Sequence, residues 1–226
     1  MQKLIFANWK SHKIENQVEP WLAAVGAPPA GVELIVMPPV TLLSAVNAKL
    51  PTGATLGAQN VSPFPLGAYT GEIAADQLAD FGVKYCLVGH SERRQYFGET
   101  NEQVVTKCQL LTAAEITPVV CVDEPYLNSQ LTTLKDAGII NFILAYEPVA
   151  AIGSGHNVAL DQVQIILNQA KKYGDFPFIY GGSVSVESVA HYSLICDGAL
   201  VATASLDGAQ FARLLAVAAG QEPSFS

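Results

Sequence analysis

Charge is scarce in this sequence, and positive charge is scarcest. Only 14% of its 226 residues are charged, and 12 Lys plus Arg stand against 20 Asp plus Glu, for a formal net charge of -8. Binding to nucleic acid or to an anionic membrane through bulk charge is thereby excluded, because both need a positive field. Any anionic ligand has to be held by a local site. Cysteine is sparse too: Cys86, Cys108, Cys121 and Cys196 form no CxxC pair and sit mostly inside apolar runs. They read as buried, reduced thiols of a cytosolic protein. No apolar run reaches the ~18 residues of a membrane span. Met1–Trp9 lacks the apolar centre of a signal peptide, which again leads one to expect a cytoplasmic protein. His12, His156 and His191 fall in no metal-ligand spacing and read as surface residues.

What the chain has in plenty is apolar material, 50% of its residues. That is enough for a large core and too much for a disordered chain. The length suits one domain spanning residues 1–226, with a small, polar tail from Gly220 to Ser226 expected to be loose. There is no short repeat, low-complexity stretch or linker. Instead a short apolar run is followed, again and again, by an amphipathic stretch. The runs are Leu4–Ala7, Val32–Met37, Thr55–Asn60, Tyr85–Gly89, Pro118–Val122, Phe142–Tyr146, Phe178–Gly181 and Ala199–Ala202. Most lack polar alternation, as expected of strands buried on both faces in a parallel sheet.

Helices are predicted between them over Glu72–Phe81, Asn101–Glu115, Tyr126–Ala137, Leu160–Tyr173 and Gln210–Ala219, with weaker signals over Ile14–Val25 and Val40–Leu50. Polar starts and glycine stops mark several of these segments. Eight strands alternating with helices fit a closed (β/α)8 barrel or an open doubly wound sheet. No GxGxxG follows the first run, which argues against a dinucleotide-binding sheet and favours the barrel.

In such a barrel the reactive groups lie at the C-terminal ends of the strands. The residues there are Asn8, Trp9 and Lys10; Gln59 and Asn60; His90 to Arg94; Asp123 and Glu124; Glu147; Gly181 to Ser183; and Ala202 to Ser205. Each has an ordinary alternative. Lys10 alone reads as a solvated lysine, His90 as a structural histidine, Gly181-Gly182 as a turn, and Arg93 and Arg94 as a charged first helical turn. Their convergence on one barrel end changes the weighing. A lysine, a histidine and a carboxylate face one mouth, and glycine-containing turns at Gly153–Gly155 and Gly181–Ser183 offer N–H groups to a phosphate.

These residues resemble a known family. Asn8-Trp9-Lys10, Gly57-Ala58-Gln59-Asn60, Gly67-Ala68-Tyr69-Thr70-Gly71-Glu72, Gly89-His90-Ser91-Glu92-Arg93-Arg94, Ala145-Tyr146-Glu147-Pro148-Val149, Ile152-Gly153-Ser154-Gly155 and Tyr180-Gly181-Gly182-Ser183-Val184 are similar to the motifs of triosephosphate isomerases, in the same order. The resemblance implies a single TIM barrel that interconverts D-glyceraldehyde 3-phosphate and dihydroxyacetone phosphate through an enediolate, in glycolysis and gluconeogenesis. It implies Glu147 as the base, His90 as a neutral donor polarising the carbonyl, and Lys10 stabilising the developing charge. Asn8 and Glu92 would orient these groups. Gly153, Ser183, Ala202 and Thr203 would hold the phosphate under a lid formed by Pro148–Gly155. Thr70 would reach a second subunit of a homodimer assembled through loop 59–72. No cofactor or metal is implied. A helix beginning at Ser91 would lower the pKa of His90, an effect for which this family is the standard example.

Four departures stand out. Ala150 replaces a lid tryptophan, Ala202 and Thr203 replace two glycines, Asp123 replaces a glycine, and the segments after the fifth and sixth strands are short. The altered strand-eight turn puts a Cβ near the phosphate, which is expected to demand a different backbone. Two other readings therefore compete. A phosphosugar aldolase or epimerase would want a lysine where Glu147 stands, or metal ligands. A barrel retained only to bind or support would explain Ala150, Ala202 and Thr203.

Overall fold

The computed structural model describes residues 2–148 and 158–221. Its strands are β1 (Lys3–Asn8), β2 (Val32–Met37), β3 (Ala54–Ala58), β4 (Tyr85–Val88), β5 (Thr117–Val122), β6 (Ile143–Tyr146), β7 (Phe178–Tyr180) and β8 (Gly198–Val201). They pair in sequence order into a closed barrel. The barrel closes where β1 meets β8 in parallel, with Leu4 opposite Gly198 and Ala7 opposite Val201.

Alternate residues of each strand serve different cores. Phe6, Ile35, Met37, Leu87, Val119, Cys121, Ile143, Ala145, Ile179 and Leu200 fill the interior of the barrel. Ile5, Ala7, Leu34, Val36, Val88, Val120, Leu144 and Val201 face outward, into the layer under the helices. Both faces are dry, which is why the strands read as continuous apolar runs rather than alternating ones.

The helices are α1 (Val18–Val25), α2 (Leu43–Asn47), α3 (Ala75–Asp80), α4 (Ser91–Phe97), α5 (Asn101–Ala113), α6 (Glu124–Asp136), α7 (Leu160–Ala170), α8 (Val186–Tyr192) and α9 (Gly208–Ala218). Several differ from expectation. The Glu72 start moves to Ala75, because Ala74 is extended and its N–H is taken by the Gln77 side chain. The segment 40–50 is only a 3-10 turn at Val40–Leu42 followed by α2. Helix α6 begins at Glu124, two residues before the expected start, with Pro125 in its first turn. Proline is tolerated there because that N–H has no helical partner. Helix α8 was not expected at all. It buries Ser188, Val189 and Tyr192.

Candidate active site

The side chains at the C-terminal ends of β1, β4, β6, β7 and β8 enclose a cavity of about 420 Å³. Asn8, Lys10, His90, Glu147, Ser183, Ala202 and Thr203 all line it. Each ends or follows a strand whose apolar residues are locked in the two cores, so the barrel sets where the polar residue emerges.

Lys10 is the most constrained of them. Its φ is +49°, a left-handed conformation unusual for a residue with a side chain. Three bonds impose it. Its N–H donates to Asn8 Oδ1 at 3.0 Å, and its carbonyl accepts from Gln59 Nε2 at 2.9 Å. Its ammonium donates to Glu92 Oε1 at 2.6 Å. Strain of this kind persists only where the surroundings over-determine it. Gln59 is tied in turn to the carbonyl of Met37 at 2.9 Å. Its positioning role escaped the sequence reading, since a neutral amide carries no charge to advertise it. Its place at the end of β3 was the available signal.

His90 caps α4, and its ring is buried between two partners. Nδ1 accepts the Glu92 N–H at 3.2 Å, while Nε2 lies 3.0 Å from Glu147 Oε1. An Nδ1 that accepts places the ring proton on Nε2, facing the cavity. The expected lowering of its pKa is not what this arrangement gives. Burial pushes the pKa down, but the Glu147 carboxylate more than offsets it and the net shift is upward. A neighbouring carboxylate at hydrogen-bond distance outweighs the start of a short helix.

Glu147 is buried, with 2% of its surface exposed. Its second oxygen accepts the Ser91 N–H at 3.0 Å. Burial alone would raise its pKa, but the His90 ring, the Ser91 N–H and Lys10 reverse that and leave it below the usual carboxylate value. The carboxylate is therefore ionised, desolvated and held by groups it can exchange for a substrate.

The opposite wall is built from turns. Gly182 passes so close to the Tyr180 hydroxyl that a Cβ would collide with it. After β8, Ala202 has φ -100° and ψ -91°, and Thr203–Ser205 form a 3-10 turn. Ser205 is fully buried and donates to the Ala202 carbonyl at 2.6 Å. Its own carbonyl accepts the Trp21 indole N–H at 2.7 Å. Ser205 thus fastens this turn to α1, a role not read from the sequence.

The family model for triosephosphate isomerase matches residues 3–218. The chain belongs to the triosephosphate isomerase family. It is 36% identical to the triosephosphate isomerase of Symbiobacterium thermophilum, covering 96% of each chain. It is 35% identical to that of Thermus thermophilus, over 95% of this chain and 98% of the relative. With that of Halorhodospira halophila it shares 37% identity, over 96% of this chain and 98% of the relative.

Within a triosephosphate isomerase family barrel, the departures can now be placed. Ala202 and Thr203 both avoid positive φ, since among the described residues only Lys10 and Glu115 combine a side chain with it. Ala202 nevertheless takes φ -100° and ψ -91°, outside the ordinary helical and extended regions, so the backbone of this turn is unusual, in line with expectation. Asp123 sits half-buried before α6 with one carboxylate oxygen unpartnered, and burial raises its pKa. It does not line the cavity. Gly153, Ala150 and the lid residues from Val149 onward lie outside the described residues. Thr70 is not brought to the site. It lies on the exposed loop that carries Phe64, Leu66 and Tyr69.

Proposed function

We propose that this chain interconverts D-glyceraldehyde 3-phosphate and dihydroxyacetone phosphate by proton transfer through an enediolate, with Glu147 as the base. The observation that carries this reading is one cavity shared by a buried carboxylate, an imidazole and an ammonium. A hydrogen on carbon beside a carbonyl is acidic enough to remove only when the oxygen's growing charge is met by donors. Glu147 takes the proton from one carbon and returns it to the neighbour. His90 Nε2–H and Lys10 Nζ face the two oxygens. Asn8 and Glu92 orient Lys10, and the N–H groups of Gly153, Ser183, Ala202 and Thr203 receive the phosphate. The chemistry asks for no cofactor.

The coupling of Glu147 to His90 gives the site a useful asymmetry. When Glu147 leaves His90 for the substrate carbon, it loses the His90 and Ser91 contacts that help lower its pKa and keeps the burial that raises it. The base strengthens where it is needed. His90 loses its carboxylate at the same moment, and both burial and the Glu92 N–H then favour the neutral ring as donor.

The assembly we propose is a homodimer through loop 59–72. Phe64, Leu66 and Tyr69 are exposed there, at 45%, 59% and 41%. Thr70 would reach the Asn8 and Lys10 of the second subunit. All four cysteines are unbonded and buried, in keeping with a cytoplasmic enzyme of glycolysis and gluconeogenesis.

A coupled assay of wild type beside Glu147→Asp tests the reading. Fast wild-type turnover is expected. The variant should lose roughly a hundred-fold in kcat, because withdrawing the carboxylate by about 1 Å costs that much. A folded wild type that binds inorganic phosphate without turnover would instead make this a binding barrel.

A further inference from the structure

Gly89 joins β4 to His90, and charged side chains grip both sides of it. Its N–H donates to Glu99 Oε1 at 2.9 Å, and its carbonyl accepts from Arg94 Nε at 2.9 Å. Its φ is +70°, and a Cβ there would stand 2.8 Å from Arg94 Nη2 and 3.1 Å from the Cys121 carbonyl. Only glycine allows both the conformation and the approach.

The two grips are themselves anchored. Glu99 is buried and bonded to Arg93 Nε at 2.7 Å and Lys107 Nζ at 3.2 Å. Lys107, also buried, reaches Asn60 Oδ1 at 2.8 Å. The remaining nitrogens of Arg94 donate to Asn101 Oδ1 at 2.9 Å and Gln130 Oε1 at 2.7 Å. Both arginines lie in α4, as the sequence suggests, and Arg94 in addition ties α5 and α6 to the Gly89 carbonyl, while Glu99 and Lys107 link the Gly89 N–H to Asn60, just after β3.

None of Arg93, Arg94, Glu99 and Lys107 lines the cavity. Buried ion pairs are a poor way to gain stability, since apolar side chains of similar volume often do better. What such a network supplies is fixed geometry. We propose that Arg94 and Glu99 are positioning residues that set the His90 ring against the substrate oxygens by clamping the Gly89 peptide. This rests on the reading of His90 as the carbonyl-polarising donor.

The test is Arg94→Lys, with steady-state kinetics and the ring 15N resonances of His90. Lysine keeps the charge but cannot hold the Gly89 carbonyl and two side-chain amides at once. We expect kcat to fall roughly ten- to hundred-fold, as for a small misplacement of a reacting group. KM should stay nearly constant, because the phosphate turns lie across the cavity. The Nδ1 resonance should move away from its hydrogen-bonded position. Gln130→Met removes one anchor of Arg94 and should act in the same direction, less strongly. Wild-type kcat and an unmoved His90 resonance in a folded variant overturn the proposal. So does a lowered Tm with both of those unchanged. His90→Gln separates the two claims: full activity there sinks the role of His90, while the His90 resonance of Arg94→Lys still reports on the clamp.

Discussion

The two walls of the cavity are made differently. On the β1, β4 and β6 side, the working groups are ionisable side chains on residues fixed by hydrogen bonds that involve backbone groups. Lys10 is held by Asn8 and Gln59, His90 by the Glu92 N–H, and Glu147 by the Ser91 N–H. On the β7 and β8 side the wall is turn and small side chain: Gly182, Ser183, Ala202 and Thr203. The first wall has to place charge where charge develops, so every side chain matters individually. The second can offer backbone N–H groups, which any residue supplies if the dihedral angles permit. This difference explains why the family's side chains stand on one wall while glycines are replaced on the other.

The sharpest way to test the contrast is to remove a charge from the first wall. Lys10→Met keeps a straight side chain and loses the ammonium. Turnover should fall about a hundred- to a thousand-fold, the usual cost of deleting one donor to a developing oxyanion. Kinetics on folded protein would show it. A loss below ten-fold would mean that Lys10 serves the left-handed turn rather than the chemistry.

A second test uses stability instead of rate. Glu147 has its pKa lowered by His90 and the Ser91 N–H, so its contribution is complete above its ordinary 4.5 and lost as pH falls through the folded value. His90 has its pKa raised, so its contribution is complete below its ordinary 6.5 and lost as pH rises through the raised value. The pair therefore stabilises most between pH 4.5 and 6.5. The Tm advantage of wild type over Glu147→Gln should peak in that window and shrink on both sides. An advantage that is flat from pH 4 to 9 would contradict the mutual shifts.

The same division decided what the sequence could reveal. The barrel strands were legible because burial on both faces leaves an apolar run; Val32–Met37 falls where expected, to the residue. Lys10, His90 and Glu147 were legible as polar residues ending such runs. Helix α8 was not, since its seven residues carry too few turns to show a period. The charge preference of His90 was not either. It depends on Glu147, two strands further on, and only the closed barrel puts them 3.0 Å apart. Gln59, Ser205, Arg94 and Glu99 act on backbone groups, and no pattern in a sequence shows which peptide a side chain will grip.

The smallest effect belongs to the second wall. Ala202→Gly and Thr203→Gly restore glycines where a side chain already fits negative φ. The unfolded chain gains freedom, so Thr203→Gly should cost about 0.4–1 kcal/mol of stability, and Ala202→Gly less, because glycine takes up φ -100° and ψ -91° with less strain. KM for glyceraldehyde 3-phosphate should change by less than about two-fold, since backbone N–H groups would still face the phosphate. Thermal melts and steady-state kinetics separate the two effects. A KM that drops ten-fold in either variant would show that the Cβ obstructs the phosphate. The second wall would then depend on its side chains as closely as the first.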